Sequence, residues 1–471
     1  MVWKTCDQLT VHILWGMRAA LSSRCSSIRA IKDFYGETGM RKYLIIGCGV
    51  AGINAAEAIR SNDPSAGITI ISNDSHGFYS RPGLAYYLTG ELPQKQLYIY
   101  TKTDWCKLNA QFVHGQVTRV VPDEHRIIIN HSDVIGYDRL LVATGASAVR
   151  SNLPGAELQG VVYLDSLEDT RQIIHQTRRT RTAVVVGGGI LALELVEGLI
   201  ARGIKVHYLL RGSRYWPNVL DETESHLVEE RLMDDGVIIH PHSEITTILG
   251  KRNRVVAVQT TKGEQLPAGI VAICIGVQPN IQLARDAGLE TEKGIIVDDH
   301  LQADHEDIFA AGDAAQFYDR KTGQKTLDLL WHPARMQGIV AGKNMAGKET
   351  MFQRSVAVNV LRLAGVMTSI IGAVGGRGEE DFAILRGSSE TWRQLPNTIA
   401  VASGGGINQV RLLVGDSILE GAVVMGDQTL SKPLQEMISA KADISAIRSR
   451  LIDGNQNLGQ VLMDFWYSKV R

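Results

Sequence analysis

Two short runs, Gly47-Cys48-Gly49-Val50-Ala51-Gly52 and Gly187-Gly188-Gly189-Ile190-Leu191-Ala192, constrain this chain more than any other feature. The first follows the apolar stretch Tyr43-Leu44-Ile45-Ile46, and the second follows Ala183-Val184-Val185-Val186. Each stands where a buried parallel strand must turn sharply into a helix. The first glycine permits the turn, and the second lets the backbone approach a pyrophosphate. The third position must be small so that helix and strand can pack. The phosphates then meet the unpaired N–H groups and the positive dipole end of that helix. One such loop is a weak signal. Two in one chain imply two bound dinucleotides, a combination that usually serves electron transfer.

Composition sets few limits beyond this. The 471 residues are enough for two or three domains, each with its own core. With 44% hydrophobic and 21% charged residues the chain reads as soluble and globular. A net charge of −1 gives no sign of a nucleic-acid or membrane surface. The most apolar long window, Ala183 to Ala201, is interrupted by Glu194 and Glu197, so it reads as strand, turn and helix and not as a membrane span. Among Cys6, Cys25, Cys48, Cys106 and Cys274 no two are spaced as C-x-x-C or C-x-x-x-x-C. A local redox disulfide and a local zinc knuckle are therefore excluded, and no metal is expected. Cys48 and Cys274 read as packing residues.

Residues 1–39 differ from the rest. Arg18, Arg24, Arg29 and Lys32 alternate with serines, and no acid falls between Asp7 and Asp33. An unstructured extension ahead of an initiator at Met40 implies a cytoplasmic protein. A transit peptide would make it organellar.

Along the chain, strands are expected at 43–46, 67–71, 112–121, 126–129 and 140–143, with a helix from the first loop to about Ser61. Residues 72–110 read as irregular, with Arg81-Pro82-Gly83 as a breaker. A second βαβ unit runs from Ala183 to Leu210, strands follow at 237–240, 244–249, 254–260 and 270–275, and a helix starts near Pro333. The fold class is α/β: two nested Rossmann-like dinucleotide-binding domains plus a small C-terminal α/β domain. The expected domains are 40–150 with 276–354, the inserted 151–275, then 355–452, and a tail at 453–471 whose adjacent aromatics Phe465, Trp466 and Tyr467 should pack on the host.

Four motifs in this order carry a resemblance: the loop at 47–52, Thr144-Gly145 after a strand, the loop at 187–192 with Glu194 behind it, and Ala311-Gly312-Asp313. Over about 40–440 the chain resembles the pyridine-nucleotide-disulfide reductase superfamily. Within it, the chain is most similar to rubredoxin and ferredoxin reductases and to the flavin module of NAD(P)H-dependent nitrite reductases. The resemblance implies FAD at Gly47, Gly49 and Gly52 in the 40–150 and 276–354 domain, with Thr144, Gly145, Gly312 and Asp313 completing that site. Asn73 stands where the family has a ribose-binding acid, with Asp74 beside it, and Arg81 matches a family arginine near the FAD phosphates. NADP or NAD would lie in the 151–275 domain at Gly187 and Gly189, with Gly276 closing the site. Glu194 would face the flavin–nicotinamide junction. His332, at the start of a helix facing the flavin, is a candidate proton donor whose alternative is a packed or surface histidine. The small domain would cover the flavin and leaves a homodimer open.

Two departures from the family shape the expected chemistry. Pro82 stands where thiol-dependent relatives carry a cysteine, so electrons should leave the flavin directly. Tyr86 replaces a lysine often found beside the flavin. The strand ending Leu209-Leu210-Arg211 lacks the acid that grips an NAD ribose, while Arg211 and Arg214 suit the 2′-phosphate of NADPH. A small redox protein such as rubredoxin or ferredoxin is the first expectation for the acceptor. A small-molecule oxidase or quinone reductase is the second, and a non-catalytic flavin-binding regulator the third.

Overall fold

The computed structural model describes residues 39–319, 323–374, 398–453 and 457–469, so the expectation for the 1–39 extension lies outside the described residues. The chain forms two compact units. The first takes residues up to Ser80, Gln94–Ala146 and Pro279–Arg354; the second takes Arg81–Pro93, Ser147–Gln278 and Ser355–Arg471.

The first unit is built on a parallel sheet. Its strands lie in the order Ile308–Ala310, Arg139–Val142, Lys42–Ile46, Gly67–Ser72, Ala110–His114. Tyr43, Leu44 and Ile45 are wholly buried, as a strand covered on both faces requires. The helix Val50–Asn62 follows the first loop. Strand order reverses at Lys42–Ile46, because its sequence successor lies on one side and Arg139–Val142 on the other. That reversal opens a crevice at the strand's C-terminal end, where the glycine loop sits. The helix Trp331–Met345 crosses Val50–Asn62 at backbone contact distance. A Cβ on Gly338 would lie 2.2 Å from the Ala51 carbonyl oxygen, and one on Gly342 would lie 2.4 Å from that of Ala55. Arg354 closes this unit with a bidentate pair to Asp328 at 2.9 and 2.6 Å and a third bond to Asp319 at 2.8 Å, both acids being almost fully buried. Arg354→Met removes three charge-assisted bonds from two buried carboxylates, so a loss of about 3–5 kcal/mol is expected in urea unfolding of this unit.

The second unit repeats the arrangement. Ile238–His240, Lys205–Leu209, Thr182–Val186, Ile270–Ile273 and Val161–Val162 form another parallel sheet, and Ile190–Ala201 is the helix behind the second loop. Its C-terminal part is an antiparallel sheet with strands in the order Val358–Leu363, Val366–Gly372, Leu419–Met425, Asn408–Val414, Ile399–Gly405. The stretch expected as a tail contains the helix Leu458–Lys469, which buries Phe465 and Trp466 in this part's core; Tyr467 is exposed.

The irregular reading of 72–110 is corrected. Gly83–Thr89 and Lys102–Leu108 are helices. Pro82 occupies the N-cap of the first, where a missing N–H is harmless, and left-handed Gly90 ends it. Thr101 and Asp104 form a reciprocal capping box on the second. The proline starts a helix here instead of breaking one.

Candidate dinucleotide sites

The two glycine loops have the same construction. Gly47 has φ +114° and Gly187 has φ +140°, conformations that side chains rarely adopt. A Cβ at Gly47 would meet the Ala143 carbonyl oxygen at 2.0 Å, and one at Gly187 would meet that of Cys274 at 2.2 Å. Each first glycine is thus pressed against the next strand's exit. At the third position of the first loop, a Cβ on Gly52 would lie 2.1 Å from the Gly47 carbonyl oxygen. The middle glycines behave oppositely. Gly49 and Gly189 have open space where a Cβ would be, and each is the N-cap of its helix with no side-chain cap bond. The leading N–H groups of both helices are therefore placed to take an anion, and among the described residues nothing fills the approach. Each loop is thus an open cradle at a helix N-terminus, the kind of place a pyrophosphate takes.

Around the first cradle, Thr144 and Asn280 clasp each other. Thr144 Oγ1 donates to the Asn280 carbonyl at 2.7 Å, Asn280 Nδ2 donates to the Thr144 carbonyl at 3.0 Å, and the Asn280 amide donates to Gly145 at 2.9 Å. Sequence reading missed Asn280, because nothing local marks a loop asparagine as the partner of a distant Thr-Gly. Gln337, on the helix expected to face the flavin, is fully buried and accepts the Gly312 amide at 2.8 Å. Among the described residues the Gln337 Nε2 has no partner, so a buried donor is left beside the Gly312-Asp313 turn. FAD would satisfy such a donor, and the open cradle and spare donor together fit it. Asp313 is half-buried in that turn.

Other expected contacts are placed less simply. Asn73 is exposed and donates to Gln116 at 3.1 Å. Asp74 accepts the Tyr79 hydroxyl and the His76 amide, both at 2.9 Å, so much of its carboxylate is used within its own loop. Arg81 lies in the second unit and donates to the Asp165 carbonyl at 2.6 Å. His332 is exposed on the first turn of Trp331–Met345. Tyr86 is 38% exposed, with the Arg362 guanidinium 5.4 Å from its ring centre.

At the second cradle, Leu210 is buried and its backbone joins the neighbouring segment through His240 and Ser243. Arg211 is exposed, whereas the Nε of Arg214 is buried and has no partner among the described residues. Gly276 accepts the Val149 amide at 3.0 Å. A nucleotide phosphate suits that spare arginine donor. Burial raises the Cys274 thiol well above its ordinary range, with Glu194 adding to the effect, which disfavours the thiolate form.

Glu194 lies on the helix behind this cradle. Burial, reinforced by the negative charge of Glu197, pushes its carboxyl up to about 8. An unfolded glutamate ionises near 4.3, so the folded apoprotein holds this proton over the interval up to 8 while the unfolded chain has lost it. Stability from this group is full below about pH 4 and falls as pH rises to 8. Glu194→Gln removes that loss. Its apoprotein should match wild type near pH 4 and be more stable by on the order of 2–4 kcal/mol near pH 8.5. Urea unfolding at the two pH values measures this, and parallel curves would refute it.

Among the described residues, no helix is long and apolar enough to cross a membrane. Comparison with known proteins agrees with the geometry. Residues 41–338 match the model of the pyridine nucleotide-disulphide oxidoreductase family. Rubredoxin-NAD(+) reductase of Pseudomonas putida is 31% identical over 314 residues, 65% of this chain and 80% of that protein. Nitrite reductase [NAD(P)H] of Bacillus subtilis is 29% identical over 413 residues, 86% of this chain but 48% of that longer protein. Among solved structures, an NAD-dependent persulfide reductase from A. fulgidus superposes with a TM-score of 0.75 at 26% identity, covering 86% of this chain and 78% of that one. A ferredoxin reductase from Rhodopseudomonas palustris gives 0.78 at 21% identity, covering 89% and 99%, a likeness of fold. With two glycine cradles of one design and a family match over most of both, this chain belongs to the pyridine nucleotide-disulphide oxidoreductases.

Proposed function

We propose that this chain takes hydride from NADPH or NADH and passes the electrons to a small one-electron carrier of the rubredoxin or ferredoxin type. The observation that carries this reading is the pair of open cradles at Gly49 and Gly189, one in each parallel sheet. FAD, when bound at the first, supplies the conversion from two-electron to one-electron transfer. Gly47, Gly49, Gly52 and the Asp313 turn would hold it, with Gln337 giving its spare N–H. Gly187 and Gly189 would hold the nicotinamide nucleotide's pyrophosphate, and Glu194 would orient the reacting end. The raised Cys274 thiol and Pro82 at the family's thiol position favour direct electron exit over a disulfide route.

For the nucleotide, Arg211 and Arg214 are the specificity residues. Leu210 is buried, so an acid placed there would enter the core, and the arginines make the cleaner test. A preference for NADPH of roughly ten-fold in kcat/KM is expected, about 1.4 kcal/mol after allowance for screening of exposed Arg211. Arg211→Ala with Arg214→Ala should abolish it.

Stopped-flow mixing of the flavin-loaded protein with NADPH should bleach the flavin, and added rubredoxin or ferredoxin should then accelerate cytochrome c reduction. No bleaching by NADPH or by NADH would exclude an enzyme. Bleaching without stimulation, and with rapid reoxidation by oxygen or quinone, would favour a small-molecule acceptor.

A further inference from the structure

The strand Lys205–Leu209 ends beside the second cradle, where the Gly187 amide donates to the Leu209 carbonyl at 3.5 Å. Its neighbour Ile238–His240 runs parallel to it, with Leu209 opposite His240. Beyond this pair the two chains stay joined. The Leu210 amide donates to the His240 carbonyl at 3.0 Å, the Ser243 amide to the Leu210 carbonyl at 2.9 Å, and the His242 amide to the Gly212 carbonyl at 3.0 Å. The turn Pro241-His242 is thereby fastened beside the loop Arg211-Gly212-Ser213-Arg214.

Side chains brace this turn from the core side. His207 Nδ1 and His240 Nε2 are 3.0 Å apart, a bond of one proton between two imidazoles. Burial holds both below the usual histidine range, so they pair as neutral rings. The other His240 nitrogen lies 3.6 Å from the Glu264 carboxylate, and Lys262 Nζ donates to the Pro241 carbonyl at 2.7 Å. Ser243 is buried, so the chain returns directly to the core. These contacts hold His242 at φ 51°, a left-handed conformation that is costly without glycine and persists only where the surroundings enforce it. Pro241 and His242 are exposed, and of the two only His242 has a side chain that can hydrogen-bond.

There is room at this joint, and it is cationic. A Cβ added to Gly212 would have no atom within 4 Å. Arg211 is exposed, and Arg214 keeps its buried Nε without a partner among the described residues. Among the described residues no carboxylate forms an ion pair with Arg211, Arg214, His242 or Lys262; Glu264 is turned to His240. Three cations and an imidazole are thus gathered at one strand end with no acid bonded to them.

We propose that His242 is a specificity-determining residue for the nicotinamide nucleotide, a donor that grips the 2′-phosphate of NADPH from the strand end facing Arg211 and Arg214. This rests on the functional reading of the second cradle given above. A dinucleotide whose pyrophosphate sits at Gly189 lays its adenosine ribose at the end of the next strand, here Leu209-Leu210. Leu210 is buried and carries no acid for a ribose hydroxyl, so discrimination falls to groups that bind phosphate. The two arginines come from one side of the joint only. An imidazole offers an N–H in either protonation state, so His242 supplies a donor from the other side. The neutral His207–His240 pair keeps the turn where that donor is needed.

Calorimetric titration of the purified full chain with NADP+ and with NAD+ tests this. Wild type should bind NADP+ more tightly than NAD+. His242→Ala should weaken NADP+ by about three-fold and leave NAD+ unchanged, because only a hydrogen bond to the 2′-phosphate is lost. Unchanged NADP+ affinity in His242→Ala would overturn the assignment. So would an equal loss for both nucleotides, which would mark His242 as a support of the turn and not a phosphate contact. Equal affinity of wild type for NADP+ and NAD+ would overturn it without any variant, while leaving the second cradle as a nucleotide site. Binding of neither nucleotide by wild type would refute the functional reading as well.

Discussion

Gly49→Val should yield a protein that folds like wild type and fails to retain FAD. The physical reason is the contrast within one loop. At Gly47 and Gly52 an added Cβ would collide with backbone oxygen at 2.0 and 2.1 Å, so substitutions there damage the protein itself. At Gly49 the backbone is extended, with φ −85° and ψ −174°, and no atom lies within 4 Å of an added Cβ. A valine is tolerated by the protein but occupies the space reserved for a pyrophosphate approaching the helix N-terminus. Losing that approach forfeits several charge-assisted N–H bonds of about 1.5–3 kcal/mol each, enough to weaken FAD by at least about 100-fold. Urea unfolding of the apoprotein and flavin content after dialysis separate the two effects. Wild-type flavin retention would mean that the cradle is not the FAD site.

The counterpart in the second unit is Gly189→Val. Here too the added Cβ finds open space, and the backbone, at φ −115° and ψ −171°, accommodates any residue. Flavin should copurify normally, because the first cradle is untouched. Reduction by NADPH should fall by about 100-fold or more in kcat/KM, roughly 2.7 kcal/mol of lost binding, while chemical reduction by dithionite proceeds as in wild type. A variant that loses flavin instead would show that the two loops had been assigned in reverse. Paired measurements on Gly49 and Gly189 therefore test the assignment of both nucleotides without relying on any clash in the empty protein.

What the sequence determined by itself is what a short stretch of chain can encode. The glycine loops could be read because strand, sharp turn and helix N-terminus are contiguous, and each glycine answers a local steric demand. The parallel character of both sheets was legible for the same reason, since strands such as Tyr43–Ile46 are apolar at every position and must be covered on both faces. The Arg81-Pro82-Gly83 stretch was misread because proline ends helices from within but begins them at the N-terminus, and only the left-handed Gly90 downstream shows which applies. Tertiary structure decided the remainder of the sites. Asn280 meets Thr144 and Gln337 meets Gly312, each across a long stretch of chain with no pattern linking the partners. Burial likewise turned Leu210 inward and left His332 in solvent, although both were singled out by position along the chain. Hydrogen bonding and desolvation depend on which segments the fold brings together, and no local run of residues contains that information.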